Sequence, residues 1–220
     1  MKRLRRLPIQ SPDLFEQYKK LEAQTWIANS IDFSNDKYDS LTFNQKNYLK
    51  LLLGFFANSD KLVSDNIALN FLKSERFPLE AELFYGYQIY NENVHNETYG
   101  LIIENYISNI EEKNNLFEAA NKIEAVSQKI KWAEQWLDSS KSLEENLIAF
   151  ACVELISFSS TFAGIFGFKS LGKQLPGLYL ANEKIISDEA SHGNFAIHVY
   201  NVYTSGNQKF LDKLSNVKYI

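Results

Sequence analysis

Residues 84–100 read FYGYQIYNENVHNETYG, and residues 185–193 read IISDEASHG. In each stretch a glutamate precedes a histidine by three positions: Glu92 with His95, and Glu189 with His192. On an α-helix this spacing puts both side chains on one face, a turn apart, so that the pair can bind one metal ion. The chain has only 3 histidines, so two such pairs indicate a metal centre shared by two helices.

Long helices are predicted around both pairs. The chain has only 9 Gly and 4 Pro, and apolar residues recur at helical spacing over long stretches. Pro78 is placed to open one helix in its first turn, and Ser142 with Glu145 forms a capping-box pattern before another. Residues 1–42 are mixed, with a polar loop at 29–40. The predicted helices are 43–73, 78–107, 111–121, 124–137, 143–170 and 178–203, which indicates an all-α four-helix bundle with accessory helices.

Each long helix carries one carboxylate on its apolar face. Burying an unpartnered carboxylate costs several kcal/mol, on the order of the penalty for any buried ion, and neighbouring carboxylates repel one another. The apolar faces contain no lysine or arginine, so two divalent cations are the simplest way to balance four negative charges. The four carboxylates are Asp60, Glu92, Glu154 and Glu189.

Four carboxylates with two histidines are the known ligand set of ferritin-like di-iron and di-manganese bundles, and the sequence matches that class. Oxygen and nitrogen ligands suit iron or manganese better than metals that prefer thiolates. Cys152, the single cysteine, is not placed to contribute. The sequence therefore predicts two iron ions, with manganese possible, in one ferritin-like domain.

The chain resembles the small, radical-generating subunit of class I ribonucleotide reductase over residues 26 to about 200. The resemblance rests on Trp26 and several short segments that include or lead to the predicted ligands. These are IDFS at 31–34, GFFA at 54–57, FYGYQI at 84–89 with ENVHNETY at 92–99, AFA with VE at 149–154, PGL at 176–178, and ISDE at 186–189 before His192.

The resemblance implies roles for particular residues. It implies that all six side chains above bind the two metal ions, and that O2 reacting at the reduced pair oxidises Tyr99 to a stable radical. The pocket around Tyr99 would be Phe158, Phe162 and Ile185. A relay would run from Trp26 through Asp188 to His95. The radical would pass to a large catalytic subunit that reduces ribonucleotides to deoxyribonucleotides for DNA replication.

The sequence departs from the family pattern after the second Glu-x-x-His. Family members continue through further helices to a tail that docks the large subunit and carries another relay tyrosine. Here 28 residues follow His192, and neither Tyr203 nor Tyr219 can be assigned that role. We expect one di-metal domain over residues 1–220 without the family's C-terminal helices and tail, so that either the chain is a fragment or it engages the large subunit differently.

Composition excludes other classes of protein. The net charge of -4 argues against a nucleic-acid surface, which needs clustered positive charge. A single cysteine excludes an internal disulfide and fits a reducing compartment. The sequence contains no uninterrupted run of 18 apolar residues, so no membrane span is predicted. No apolar segment follows the basic N-terminus, so a secretory signal is not predicted either. We expect a cytoplasmic protein that pairs as a homodimer, as bundles of this class often do.

Two rival functions remain open. One is a ferritin-like di-metal oxidase that acts on a bound small ligand, and it would form no tyrosyl radical. The other is an inactive structural partner of an active sister chain, and it would hold far fewer than two metal ions. Tyr99 and the Trp26 segment argue against the first, and the complete ligand set argues against the second.

Overall fold

A computed structural model of the chain describes residues 5, 7–72, 74, 76–118 and 122–204. These residues form α-helices, short 3₁₀ and π turns and connecting loops, and no β-strand occurs among them. The predicted all-α class is confirmed. In chain order the α-helices of this part are α1 Pro12–Ala23, α2 Phe43–Asn66, α3 Leu79–Tyr106, α4 Ile110–Phe117, α5 Glu124–Leu137, α6 Leu143–Cys152, α7 Phe158–Ser170 and α8 Pro176–Thr204.

Capping side chains set where the long helices begin. Ser142 accepts a hydrogen bond from the amide of Glu145, whose carboxylate accepts from the Ser142 amide in return. Thr42 and Gln45 form the same reciprocal pair at the start of α2. Each pair satisfies two amides that have no partner within the helix, which is why α6 and α2 begin where they do. The capping box predicted at Ser142 is confirmed.

The structure differs from the predicted helices at four places. Pro78 lies just before α3, as its N-cap residue, and not in its first turn. Helix α1 was not predicted, because only Leu14 and Leu21 of its residues are buried and two apolar positions make a weak periodic signal. The predicted helix 143–170 is interrupted by a π turn, Val153–Ser157, and a second π turn, Ile67–Phe71, follows α2.

Aromatic side chains fill the space between the helices. Phe84 of α3 stacks on Phe195 of α8, and Tyr85 packs edge-on against the same Phe195 ring. Fully burying one such side chain stabilises the fold by about 1.5–3 kcal/mol. The high aromatic content, 14% of the chain, is therefore used mainly in the core. Fully buried aromatic residues are Phe56, Phe71, Phe84, Tyr85, Phe150, Phe158, Phe162 and Phe195.

The stretch Leu143–Ser170 is long and apolar enough, by length and composition alone, to cross a membrane. Half of its most apolar window is buried inside the protein. Phe150, Phe158 and Phe162 from this stretch belong to the hydrophobic core. Packing within the bundle therefore accounts for its apolar character.

The loop between the 3₁₀ turns Ala28–Ser30 and Tyr38–Ser40 holds the start of α8. One carboxylate oxygen of Asp36 accepts from the Gly177 amide at 2.7 Å, and the other accepts from the Leu178 amide at 3.0 Å. An anion at this position also interacts favourably with the positive end of the helix dipole. Gly177 allows this close approach, because a Cβ there would lie 2.6 Å from the carbonyl oxygen of Asp32. Asp36 thus fixes the helix that carries Glu189 and His192.

We predict that Gly177→Ala destabilises the fold by about 1–3 kcal/mol, since the loop backbone must move to admit the methyl group. Gly86→Ala is the matched control, because a Cβ at this exposed α3 position meets no atom within 4 Å and alanine favours a helix by about 0.8–1.0 kcal/mol. Urea unfolding of both variants measures the difference. A Gly177→Ala protein as stable as Gly86→Ala would contradict the proposed close approach.

Candidate metal centre

The predicted ligands come from four separate segments and converge in the interior. Helix α2 contributes one of them, α3 two, the π turn Val153–Ser157 one, and α8 two. Each is at most 2% exposed to solvent. They form two groups, and within each group the ligand atoms all lie within 4.8 Å of one another. The first group is Asp60, Glu92 and His95, and the second is Glu92, Glu154, Glu189 and His192.

Two carboxylates lie between the two groups. Glu92 belongs to both of them. Glu189 lies between the two histidines, with one oxygen 3.1 Å from His95 Nδ1 and the other 2.8 Å from His192 Nδ1. A carboxylate with one oxygen near each group can bridge two cations. The geometry therefore offers two adjacent groups of ligands that share Glu92, with Glu189 next to the histidine of each group.

The polar atoms of this cluster fit cations better than they fit one another. Among the described residues, both Asp60 oxygens, one oxygen each of Glu92 and Glu154, and Nδ1 of His95 are buried without a hydrogen-bond partner. A buried polar atom without a partner is costly, on the order of 1–3 kcal/mol each. Several such atoms with lone pairs, gathered in one place, are the donor set that divalent iron or manganese accepts. The residues present therefore fit the predicted metal pair.

The contacts of the two histidines also leave room for cations between the carboxylates. The Nδ1 atom of His95 lies 3.1 Å from a Glu189 oxygen, yet this contact lacks the alignment of a hydrogen bond. His192 Nδ1 does pair with Glu189. Both Nδ1 atoms thus face carboxylates, whereas Nε2 of His95 faces away from Glu189 towards Asp188. Side chains that are arranged to bind a shared ion lie close together without all being aligned for hydrogen bonds to one another, as these contacts are.

Electrostatics divides the acidic groups into two kinds. Burial raises the pKa of Asp60 and of Glu154 well above the usual range, and neighbouring carboxylates raise both further. Burial would also raise the pKa of Glu189, but the two histidines outweigh burial and lower it. Asp60 and Glu154 therefore retain protons unless positive charge is supplied, and Glu189 stays ionised.

The histidines respond in the opposite sense. Burial alone would lower the pKa of both rings, but adjacent carboxylates prevail, so that the pKa of His192 rises to about 9 and that of His95 also rises. The protein groups thus share protons to reduce their net negative charge. Metal cations binding among the carboxylates would displace these protons, because a ligating imidazole or carboxylate must be deprotonated.

A series of contacts leads from the cluster to the surface. Trp26 Nε1 donates a hydrogen bond to Asp188 Oδ2 at 2.8 Å, and the same oxygen lies 3.0 Å from His95 Nε2. The rings of Trp26 and His95 are stacked 5.9 Å apart. Asp188 is buried, whereas Trp26 is partly exposed. The structure therefore brings together the three predicted relay residues, with Asp188 holding the orientation of the His95 ring.

Gln88 is a site residue that the sequence reasoning missed. Its fully buried amide donates to Glu92 Oε1 and to Glu154 Oε1, at 3.1 Å each. These bonds hold the two carboxylates at a fixed separation. The available signal was its position one helical turn before Glu92, on the same face of α3.

Tyr99 lies in an apolar pocket beside the cluster. It is 2% exposed, and its hydroxyl has no hydrogen-bond partner among the described residues. Phe56 stacks on its ring at 4.6 Å and 2°, and was missed as a pocket residue. The predicted pocket residues Phe158 and Phe162 both contact Phe56, and Ile185 is fully buried. Burial, and then the nearby Asp60 charge, raise the pKa of Tyr99, so the phenol keeps its proton.

Comparison with known proteins identifies related sequences. The family model described as "Ribonucleotide reductase, small chain" matches residues 3–218. The ribonucleoside-diphosphate reductase small chain of Nicotiana tabacum is 43% identical over 197 residues, which are 89% of this chain and 59% of that protein. The small subunit from Plasmodium falciparum (isolate FCR-3 / Gambia) is 44% identical over 197 residues, 89% of this chain and 61% of that protein. The chain thus spans about three fifths of the length of these curated relatives.

Solved structures agree with this fold. The ribonucleotide reductase Rnr4 homodimer of Saccharomyces cerevisiae matches with TM-score 0.80 and 27% identity, over 90% of this chain and 63% of that chain. The dimanganese(II)-NrdF of Streptococcus sanguinis matches with TM-score 0.84 and 20% identity, over 98% and 76% of the two chains. The second likeness concerns the fold alone. Both support the predicted ferritin-like helical bundle, which is confirmed.

We predict that Glu154→Gln lowers metal content below two ions per chain, because a neutral amide is a poor ligand for iron or manganese. Without added metal the variant should be about as heat-stable as the unaltered chain, because Glu154 is already neutral there and a neutral amide of the same shape replaces it. Glu97→Gln, on the exposed face of α3, is the control. Metal analysis and thermal unfolding with and without ferrous iron measure both effects. Unaltered loading would count against Glu154 as a ligand.

Proposed function

The chain belongs to the ribonucleotide reductase small-chain family, as its sequence resemblance predicted, and from that premise we propose that it is the radical-generating subunit of a ribonucleoside-diphosphate reductase. The observation that carries the proposal is the pair of buried ligand groups that share Glu92 beside the enclosed Tyr99. The rival inactive partner is disfavoured, because every predicted ligand is present. The rival small-ligand oxidase is disfavoured by the family match.

The six converging side chains are the proposed metal ligands. Glu92 and Glu189 would bridge the two ions, since each lies between the two ligand groups. We propose two iron ions, and manganese fits the same oxygen and nitrogen donors. When bound, the reduced metal pair supplies the electrons that activate O2. The remaining proposed ligands are Asp60, His95, Glu154 and His192.

Tyr99 is the proposed site of the radical. Its phenol is neutral and lies next to the carboxylate cluster, so that its electron and its proton can leave over a short distance. Phe56 covers one face of the ring, and Phe158, Phe162 and Ile185 are the proposed outer walls of the pocket. An apolar, enclosed pocket slows the reaction of a phenoxyl radical with water and solutes. The pocket therefore protects the radical that Tyr99 would hold.

Trp26, Asp188 and His95 are the proposed relay between the metal centre and a large catalytic subunit. The two contacts of the Asp188 carboxylate, to the indole and to the imidazole, connect a partly exposed ring with a buried ligand. Asp188 holds both rings in a stacked arrangement suited to electron transfer. The nucleotide would bind to the large subunit and not to this chain.

The assembly is also a proposal. We propose a cytoplasmic homodimer that works with a large catalytic subunit and O2, without a nucleic-acid or membrane partner. The yeast relative of 27% identity is a homodimer, and the acidic net charge disfavours nucleic acid. We also propose that residues 1–220 form one di-metal domain. The structure does not describe the side chain of Tyr203 or any part of Tyr219, so the sequence-based statement about these two tyrosines lies outside the described part of the chain.

We predict that Tyr99→Phe keeps two metal ions per chain and abolishes the tyrosyl radical, because phenylalanine has no O–H group and is much harder to oxidise. Tyr85→Phe is the matched control, since Tyr85 is also fully buried on α3. Electron paramagnetic resonance after adding ferrous iron and air, together with metal analysis, measures the outcome. A radical of undiminished yield in Tyr99→Phe would refute the assignment.

We also predict that Trp26→Phe retains metal binding and the Tyr99 radical but lowers deoxyribonucleotide formation at least tenfold, because the relay loses its oxidisable outer ring. The assay combines the chain with a large subunit from a relative. Trp132→Phe, on α5 and partly buried, should leave product formation unchanged. Equal activity of Trp26→Phe and Trp132→Phe would argue against the relay.

A further inference from the structure

A second tyrosine lies in line with Tyr99 on helix α3. Tyr106 follows Tyr99 by seven residues, which is two helical turns and a rise of about 10.5 Å along the same face. Tyr106 is 8% exposed, and the intervening Ile102 and Ile103 are fully buried. The two phenols are thus connected by packed apolar side chains over a distance that one electron-transfer step can cross.

The hydroxyl of Tyr106 has a proton acceptor in place. It donates to Asp36 Oδ2 at 2.5 Å. The same carboxylate accepts from the amides of Gly177 and Leu178 at the start of α8, so its position is fixed independently of Tyr106. A phenol that can pass its proton along an existing hydrogen bond loses an electron more easily than one that cannot.

Tyr38 extends this line to the surface. Its ring stacks on that of Tyr106, with centroids 4.6 Å apart and planes 18° from parallel. Tyr38 is only partly buried. A phenol that has lost an electron is a strong acid, so an oxidised Tyr38 is a neutral radical that has released its proton.

We propose that Tyr38 and Tyr106 form a second electron path, by which a soluble one-electron reductant returns the Tyr99 radical to tyrosine. The proposal rests on the proposed function of Tyr99. It differs from the Trp26 relay, which reaches the metal ligand His95 and lies on other elements of the fold. The path serves to remove or recycle the radical, not to reduce nucleotides.

The steps balance in electrons and protons. Tyr106 gives one electron to the Tyr99 radical, and its phenolic proton moves to Asp36. Tyr99 regains its O–H bond by taking up one proton, which replaces the one that it lost on oxidation, so that the overall change at Tyr99 is one electron and one proton. Tyr38 then gives an electron to Tyr106, which takes its proton back from Asp36, while the Tyr38 proton enters solvent. The external reductant finally gives one electron to Tyr38, which recovers a proton from water.

The test measures the decay of the Tyr99 radical by electron paramagnetic resonance in the metal-loaded chain after hexacyanoferrate(II) is added. This reductant is too large to enter the pocket, so it must act through the protein. Tyr106→Phe and Tyr38→Phe should each slow the decay at least tenfold. Tyr48→Phe, at an exposed tyrosine on α2, should leave the decay rate unchanged.

Structural effects are separated from electron transfer by further readouts. Tyr38→Phe preserves the stacked ring and removes only the hydroxyl, so its metal content and unfolding temperature should match those of the unaltered chain. With 3-aminotyrosine at position 106, which is easier to oxidise, an aminotyrosyl signal should replace the Tyr99 signal.

The outcomes distinguish the two proposals. Unchanged decay in Tyr106→Phe or Tyr38→Phe would overturn the second path and leave the proposed function intact. If the unaltered, metal-loaded chain forms no tyrosyl radical, both proposals fall.

Discussion

Mutual repulsion among four buried carboxylates is the constraint on which the rest of this structure depends. Asp60, Glu92, Glu154 and Glu189 each lie on a different helical segment, and each is at most 2% exposed. Four such groups can share one interior only if protons or cations balance their charge. Burial and neighbouring carboxylates favour protonation of these groups, whereas the histidines favour their ionisation. The pKa of Asp60 is therefore raised, and that of Glu189 is lowered. Without that balance, the helices that carry these groups would not pack together at this point.

Several local features serve to hold the carboxylates at close range. Gln88 hydrogen-bonds two of them at once. Gly193 lets α8 approach the π turn that carries Glu154, because a Cβ there would lie 2.4 Å from Leu155 Cγ. Asp36 fixes the start of α8. The bundle therefore places its tightest packing and its most specific hydrogen bonds around the charges that would otherwise drive it apart.

The sequence predicted the elements that depend on local pattern. Helical spacing and capping residues placed the starts of α2, α3, α6 and α8 within a few residues, and Glu-x-x-His spacing located the cluster. The π turn around Glu154 was not predictable, since one extra residue in a helical turn leaves the apolar pattern almost unchanged. Gln88 and Phe56 were missed because an amide or an aromatic ring on an apolar face looks like ordinary core. The contact of Asp36 with α8 joins residues 141 apart or more, which no local pattern reveals.

Enclosure of Tyr99 has a consequence for how it can react. Its hydroxyl has no hydrogen-bond partner among the described residues, and Phe56 covers its ring, so a solute cannot reach it directly. An oxidising equivalent stored there must therefore arrive and leave as an electron moving through the protein. Such movement is fastest through aromatic side chains, and proceeds most easily where a phenol or indole has an acceptor for its proton. Trp26 at Asp188 and Tyr106 at Asp36 both meet this condition, on different elements of the same bundle. The protection of the proposed radical and the provision of the proposed aromatic routes to it are thus two parts of one physical requirement.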